Sequence, residues 1–250
     1  MKCCFFTFLQ KSYEHIIDFD LFERSFKHFH PDIPLITFRD KEINDIIAST
    51  NNKASMFKIK ATAAKTLYDE YDLVVNIDAD HIIFSRLDEI LINDYDVACP
   101  SNFNTYENVS ISLTTYQNRV YNIVPHEYYV QAGLIASSNK RFWDTYEKVG
   151  FDHADYMTCA DNDVLNLLLH FNNFKFKLLD GAWRYDSPKR KSFYGCSSLG
   201  LEQNCSLINN VPCINGVPLK CYHIARGSKK PKFNELFNSE IVNWLHEKIK

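Results

Sequence analysis

The sequence predicts an α/β fold with a mostly parallel central sheet flanked by helices. In the first half, three continuously apolar segments alternate with segments whose apolar residues recur at helical spacing. Continuously apolar strands are typical of a parallel sheet that is covered on both faces, because neither face meets water. The predicted strands cover residues 2–9, 33–38 and 72–80, and the predicted helices cover residues 13–29 and 57–71.

The second half adds further elements of both kinds but is less regular. Asn215 and Gly216 predict a tight hairpin turn, since this dipeptide favours the positive φ angles of such turns. Residues 101–127 are polar and show no clear period, which predicts a long surface segment. No linker separates the halves, so we expect one domain over residues 1–250. Strands are predicted over residues 94–100, 128–138, 174–179 and 220–224, and helices over residues 139–149, 161–171 and from about residue 234.

Composition argues against some classes of function. The formal net charge is −3, so the chain lacks the basic field with which proteins neutralise nucleic-acid phosphates. No apolar run approaches the roughly 20 residues that a membrane-spanning helix needs. The apolar N-terminus leads directly into polar residues without a small-residue cleavage site. We therefore interpret it as the first strand and expect a cytoplasmic protein.

The eight cysteines allow two interpretations. Reduced structural cysteines suit a cytoplasmic chain, whereas disulfides would require an oxidising compartment. Four cysteines fall close together without any CxxC pair, which weakens the case for a zinc site. The sequence leaves the state of this group open; its members are Cys196, Cys205, Cys213 and Cys221.

Two acidic residues end the third predicted strand. Asp78 and Asp80 follow an apolar run, at the end of the strand where α/β sheets bind ligands. Residues i and i+2 of a strand share a face, so both carboxylates can reach one cation. Such hard oxygen ligands suit Mn²⁺ or Mg²⁺, which keep open positions for phosphate oxygens. The alternative is an acidic turn with solvated carboxylates, but the apolar residues on both sides favour a metal site.

Four segments of the chain, taken in order, match the motifs of one known enzyme group. They are "LVVNIDADHIIFSRLDEIL" at 73–91, "VQAGLIAS" at 130–137, "ADNDVLN" at 160–166 and "HIARGSKKP" at 223–231. Together they resemble glycosyltransferases of the GT-A fold, most of all the glycogenin-like glycosyltransferase family 8. In that family the segments are the D-x-D strand, the Asn-Ala-Gly strand, the Asp-Gln helix and a final His-Gly-Lys-Pro motif. The resemblance implies a GT-A fold for the chain.

The resemblance also implies a third metal ligand and a diphosphate site. His223 stands where the family has the histidine that binds the metal together with the two D-x-D acids. Gly227 and Lys230 stand where the family holds the departing diphosphate, although a plain basic turn would give the same residues. This chain departs from the family by one extra residue between His223 and Gly227, and by Lys232 in place of a tryptophan.

Further donor contacts follow from the same resemblance. Tyr13 stands near the position where a family tyrosine stacks on the uracil ring, or else it only begins a helix. The lysine that approaches the donor corresponds to Lys58 or Lys60, and the spacing does not choose between them. The other implied donor contacts are Thr7, Ala79, Gln131, Ala132 and Gly133, besides the D-x-D acids themselves.

The expected function is transfer of a hexosyl group from a nucleotide-diphosphate sugar, most simply a UDP-sugar, to an acceptor hydroxyl. Asp161 and Asn162 match a family pair that faces the donor sugar, although acidic residues also cap helices. We expect the transfer to retain the anomeric configuration, and we expect the acceptor to be a glycan, a lipid or a protein. Residues 1–100, approximately, should form the donor-binding half, and residues 101–250 should form the acceptor-side half. One alternative is an inverting enzyme with Asp161 or Asp163 as base, and the other is an inactive sugar- or nucleotide-sugar-binding protein.

Overall fold

The structure, a computed structural model, describes residues 1–50, 58–92, 94–100, 112–116, 119–123, 130–153, 160–171, 173–179, 193–196, 205–224 and 232–250. Among these residues the strands are β1 (Cys3–Leu9), β2 (Leu35–Arg39), β3 (Leu73–Ile77), β4 (His81–Ile83), β5 (Val97–Pro100), β6 (Ser112–Tyr116), β7 (Arg119–Ile123), β8 (Leu134–Ser137), β9 (Phe176–Leu179), β10 (Phe193–Cys196), β11 (Cys205–Ile208), β12 (Val211–Ile214) and β13 (Val217–His223). The helices are α1 (Phe19–Phe29), α2 (Asp40–Ser49), α3 (Ile59–Lys65), α4 (Asp88–Leu91), α5 (Lys140–His153), α6 (Ala160–Phe171), α7 (Phe233–Leu236) and α8 (Ser239–Lys248).

The central sheet has six strands in the order β2-β1-β3-β8-β5-β9. β1 runs parallel to β2 and β3, and β5 runs parallel to β9, which confirms the predicted mostly parallel sheet. β8 runs antiparallel to both of its neighbours, a reversal that the sequence analysis does not anticipate. Ile77 at the end of β3 therefore pairs with Leu134 at the start of β8. As a result, the segment before β8 lies at the carboxyl end of β3.

Apolar residues cover both faces of this sheet. On one face α2, α3, α5 and α6 bury side chains such as Phe6 and Trp143, and on the other face α1 buries Phe22 and Phe26. Burial on both faces explains why β1 and β3 are continuously apolar. No helix among the described residues combines the length and the hydrophobicity needed to cross a bilayer.

A second, smaller sheet joins the last third of the chain to the D-x-D region. Its order is β10-β13-β12-β11, and β4 pairs with β13 as well. Asn215 and Gly216 form the turn between β12 and β13 with φ angles of 52° and 78°, which confirms the predicted hairpin. α7 and α8 pack on this sheet through a cluster that includes Tyr222 and Trp244.

Some predicted boundaries are wrong. The helix predicted over residues 13–29 begins only at Phe19, because the Asp18 side chain accepts the Leu21 N–H at 3.2 Å and caps it there. The helix predicted over residues 57–71 ends at Lys65. α2 is not predicted at all, and the strands β6 and β7 form a hairpin inside the polar segment that shows no period.

His30 is a buried, uncharged residue that joins α1 to the segment before α4. Its Nε2 accepts the Leu87 N–H at 3.0 Å, and its ring stacks on Phe26 with centroids 4.8 Å apart. Burial, and then the charge of Arg86, lowers the pKa of His30 to about 4. A proton on Nε2 would face the Leu87 N–H, so protonation breaks this contact.

We predict that His30 makes the fold less stable as the pH falls from 6.5 to about 4. The unfolded chain binds this proton at the higher pH, so acidification favours unfolding, by about 3 kcal/mol in total for a pKa difference of this size. The glutamine variant His30→Gln keeps an acceptor for Leu87 and should show a flatter dependence. Urea unfolding between pH 4 and 7 measures the slopes. His28→Gln, an exposed site on the same helix, is the control, and equal slopes in the wild type and His30→Gln would contradict the prediction.

Candidate active site

The D-x-D acids lie where the two sheets meet, in the turn between β3 and β4. Asp78 follows β3 directly, and its backbone N–H donates to the Gly133 carbonyl at 2.8 Å. The carbonyl of Asp80 accepts the N–H of Ile224, the residue after β13, at 2.9 Å. Backbone hydrogen bonds to two segments that are distant in sequence therefore fix the position of this turn.

A buried lysine compensates the charge of Asp78. Lys60 of α3 is 5% exposed, and its Nζ lies 3.0 Å from Asp78 Oδ1 and 2.8 Å from Asp161 Oδ2. It also donates to the Ala132 carbonyl at 2.8 Å, so three acceptors surround an ammonium that has three hydrogens. Burial by itself would lower the pKa of Lys60, but the carboxylates of Asp161 and Asp78 raise it above its ordinary value. The ammonium therefore stays charged.

Side-chain amides join the start of α6 to the segment before β8. Asn162 Oδ1 accepts the N–H of Ala132 at 2.7 Å. Asn166 binds Val130 twice, since its Oδ1 accepts the Val130 N–H at 2.8 Å and its Nδ2 donates to the Val130 carbonyl at 2.9 Å. Buried backbone groups need such partners where no strand pairing satisfies them. These bonds hold Asp161, the neighbour of Asn162, close to the D-x-D turn.

Two histidines lie beside Asp80. His81 in β4 and His223 in β13 are partners in the antiparallel pairing, and their rings stack with centroids 4.3 Å apart and planes 5° apart. His223 Nε2 is 3.1 Å from Asp80 Oδ1 and 3.9 Å from Asp78 Oδ2. Burial, and then the neighbouring His223, lowers the pKa of His81 well below its ordinary value. His81 is therefore neutral at pH 7.

Gly133 provides the space that the His223 ring occupies. A Cβ at this position would lie 2.7 Å from Cε1 and 2.8 Å from Nδ1 of His223. Contacts this short require one of the two groups to move, so the close approach depends on the absence of a side chain. The glycine of the "VQAG" segment is thus explained by the packing of a histidine about ninety positions later in the chain.

The side chains around the turn have the chemistry of a divalent-cation site. Asp80, His81 and His223 offer ligand atoms that all lie within 4.8 Å of one another, and Asp78 adds a second carboxylate beside them. Neighbouring ligands of an octahedral ion, each at about 2.1 Å from it, lie about 3 Å apart. The 3.1 Å separation between His223 Nε2 and Asp80 Oδ1 is compatible with this spacing. Carboxylate oxygens with an imidazole nitrogen fit a divalent transition metal.

An open cleft of about 280 Å³ adjoins this cluster. One wall comes from the loop after β1, and the other comes from the D-x-D turn and the residues around β13. Tyr13 precedes the lining loop and is 50% exposed, whereas Thr7 is fully buried in β1. The residues that line the cleft are Glu14, His15, Ile16, Ile17, Asp18, Asp80, His81, Ile82, Ile224 and Lys232.

The structure brings most of the sequence-predicted site residues into one region. They come from α3, the D-x-D turn, the segment before β8, the start of α6 and the end of β13. The segment before β8 is fixed by its backbone as well, since the Gln131 N–H donates to the Pro100 carbonyl at 2.9 Å. The residues that meet here are Lys60, Asp78, Ala79, Asp80, Gln131, Ala132, Gly133, Asp161, Asn162 and His223.

Other predicted residues lie elsewhere or outside the described structure. Of the two candidate lysines, Lys60 contacts Asp78, while Lys58 is buried at the start of α3. Gly227 and Lys230 fall outside the described residues, as does most of the polar segment 101–127. His81 is not among the sequence-predicted site residues, although its position directly after the D-x-D is a usable signal.

Comparison with known proteins identifies the fold. No protein-family model and no curated protein sequence matches the chain. Among solved structures it resembles the bifunctional glycosyltransferase WbbM in its apo form, with a TM-score of 0.53 and 14% identity over 99% of this chain and 49% of WbbM. It resembles the galactosyltransferase LgtC, solved with donor and acceptor sugar analogues, with a TM-score of 0.54 and 15% identity over 98% of this chain and 95% of LgtC.

A third similar structure is the glycosyltransferase GlyE from Streptococcus pneumoniae TIGR4, with a TM-score of 0.53 and 12% identity over 100% of this chain and 60% of GlyE. The chain thus spans about half the length of WbbM and nearly all of LgtC. At these identities the likeness concerns the fold alone. The predicted GT-A fold, an α/β fold with a mostly parallel central sheet between helices, is confirmed.

We predict that Lys60→Met lowers the free energy of unfolding by about 3–5 kcal/mol, because it leaves two partly buried carboxylates without their counter-charge. The control Lys65→Met lies on the same helix. Its ammonium contacts Glu147 at 2.7 Å, but its side chain is 35% exposed, so the loss should stay below about 1 kcal/mol.

Urea unfolding at pH 7 measures both lysine variants. Adding Asp161→Asn to Lys60→Met should restore part of the stability, because it removes one of the two unpaired charges. Equal losses for Lys60→Met and Lys65→Met would show that the buried ammonium of Lys60 contributes no more to the free energy of unfolding than the more exposed ammonium of Lys65.

We also predict that Gly133→Ala destabilises the fold by about 1–3 kcal/mol, since the new Cβ displaces the His223 ring or the backbone. Gly150→Ala in α5 is the matched control. No atom lies within 4 Å of a Cβ at that site, so alanine should stabilise the helix by up to about 1 kcal/mol. Thermal unfolding followed by circular dichroism compares the two variants, and a neutral Gly133→Ala would contradict the packing described above.

Proposed function

We propose that the protein is a metal-dependent glycosyltransferase that moves a hexosyl group from a nucleotide-diphosphate sugar to an acceptor hydroxyl. One observation carries the proposal. Asp78, Asp80 and His223 converge beside an open cleft at the carboxyl end of β3, in a fold shared with glycosyltransferases. The family 8 assignment, which rests on the four sequence motifs, is part of the proposal.

Asp78, Asp80 and His223 would hold the divalent ion, and Mn²⁺ suits this mixture of carboxylate and imidazole ligands better than Mg²⁺. When bound, the ion neutralises the negative charge that develops on the leaving nucleotide diphosphate. The D-x-D turn needs little rearrangement for this role, because backbone hydrogen bonds already fix both of its acids in place. We propose that Gly227 and Lys230 contact the same diphosphate, as the motif at 223–231 implies.

The donor would lie in the cleft between the loop after β1 and the D-x-D turn. Tyr13 is exposed next to this loop and could stack on a nucleobase, and the resemblance implies that this base is uracil. Lys232 also lines the cleft and would add a positive charge for the diphosphate of the donor. In this arrangement residues 1–100 contribute most of the donor site, and residues 101–250 contribute the acceptor side.

Asp161 and Asn162 would position the donor sugar. The side-chain Oδ1 of Asn162 accepts the Ala132 N–H, so the Nδ2 group of the same side chain is the part that can reach a ligand. Asp161 is held by Lys60 on the same side as Asp78. We propose retention of anomeric configuration, with Asp161 orienting the sugar. In the inverting alternative, Asp161 or Asp163 would instead accept the proton of the acceptor hydroxyl.

The test is a panel of UDP- and GDP-sugars, assayed for nucleotide release with and without Mn²⁺. We expect Mn²⁺-dependent hydrolysis of at least one UDP-sugar, and we expect Asp80→Asn to reduce it by at least about 100-fold, since the ion supplies several kcal/mol of transition-state stabilisation. Asp94→Asn is the control, because Asp94 is exposed and pairs with Lys177 away from the cleft. NMR of the sugar product reports the anomeric outcome.

Two results would contradict the proposal. Release that does not depend on Mn²⁺ or on Asp80 would exclude the metal-dependent mechanism. Tight binding of a nucleotide sugar without release or transfer, whichever acceptor is supplied, would favour the alternative of an inactive sugar-nucleotide-binding protein.

A further inference from the structure

We propose that His81 is a positioning residue that fixes the ring of His223 for metal binding. This inference rests on the proposed function only in that His223 and Asp80 hold a divalent ion. His81 matches none of the motif positions on which the metal site is predicted. The packing around the two imidazole rings supports this role.

The ring of His223 is restrained by two neighbours. It lies flat against the His81 ring, with a centroid distance of 4.3 Å and an angle of 5°. It also packs against the backbone at Gly133, where a Cβ would come within 2.8 Å of the ring. The torsion that rotates an imidazole about its Cβ–Cγ bond is otherwise broad. These two contacts therefore select the ring orientation in which His223 Nε2 points at Asp80.

His81 can serve as a support because its own ring is fixed. It is 3% exposed, and its Nδ1 lies 2.9 Å from the Asp78 carbonyl. A carbonyl only accepts hydrogen bonds, so Nδ1 carries the hydrogen and donates it. His81 thus connects the Asp78 backbone to the His223 imidazole, which faces Asp80. Such indirect supports orient metal ligands in many metal sites.

The geometry argues against His81 as a second imidazole ligand of the same ion. A metal bound to an imidazole nitrogen lies close to the plane of that ring. The planes of His81 and His223 are nearly parallel and the rings are stacked, so one ion cannot lie in both planes. His223 Nε2 is the nitrogen that lies 3.1 Å from Asp80 Oδ1. The structure therefore assigns ligation to His223 and support to His81.

The test is Mn²⁺ titration of the intact protein without donor, by calorimetry, at a temperature where circular dichroism shows every variant to be folded. His81→Ala removes the supporting ring and should weaken Mn²⁺ binding by about tenfold. His81→Phe keeps a flat ring but loses the hydrogen bond to the Asp78 carbonyl, so its Mn²⁺ affinity should lie between those of the wild type and His81→Ala. His223→Ala removes the ligand itself and should weaken binding further than His81→Ala. His28→Ala, an exposed site, should change nothing.

Each other outcome overturns the proposal in a recognisable way. Unchanged affinity in His81→Ala would leave His81 with a role in folding only. Equal losses in His81→Ala and His223→Ala would make His81 a ligand. A His81→Phe variant that binds no better than His81→Ala would contradict support by a stacked ring. If His81→Phe does not fold, the comparison of His81→Ala with the wild type and His223→Ala still decides whether His81 supports His223 or binds the ion.

Absence of Asp80-dependent Mn²⁺ binding in the wild type would refute the proposed function and this inference together. A failure confined to the His81 variants would refute this inference and leave the proposed function standing.

Discussion

The arrangement of this site depends on one buried ammonium group. Lys60 donates to Asp78, Asp161 and the Ala132 carbonyl, and so links α3, the end of β3, the start of α6 and the segment before β8. Removing a charge from water is costly, and attraction to the carboxylates offsets this cost only when all of its hydrogen bonds are made. Without Lys60, two carboxylates would face each other in a poorly solvated place. The same interaction therefore supports the fold and sets the position of the acids.

Asp78 is the residue that couples the two sides of the site. Its Oδ1 contacts the ammonium of Lys60, while its Oδ2 lies 3.9 Å from His223 Nε2. One side is thus a lysine–carboxylate cluster against the helices, and the other is an imidazole–carboxylate cluster against β4 and β13. This division gives each D-x-D acid a distinct electrostatic environment. Asp78 balances a fixed positive charge, and Asp80 is the acid closest to the His223 imidazole, which suits a metal.

Backbone groups position the site as well as side chains do. β8 runs against its neighbours, so the residues before it arrive at the carboxyl end of β3 with their carbonyls directed at the site. The Ala132 carbonyl binds Lys60 and the Gly133 carbonyl binds the Asp78 N–H. A glycine is needed at position 133 because the His223 ring packs against it. The glycine of the Ala-Gly pair is therefore a consequence of close packing between a backbone segment and an imidazole ring.

The sequence by itself determined the fold class, the D-x-D acids at the end of β3, the Asn215–Gly216 hairpin and the expectation that His223 belongs with those acids. These features depend on local periodicity, on turn chemistry and on motifs that a family resemblance makes visible. Only the tertiary structure decided that Lys60 is the lysine in contact with Asp78, that β8 is reversed, and that His81 stacks on His223. The physical reason is that each of these depends on which distant segments pack together. Strand direction and ring stacking arise from long-range pairing, and the spacing of residues along the chain does not encode that pairing.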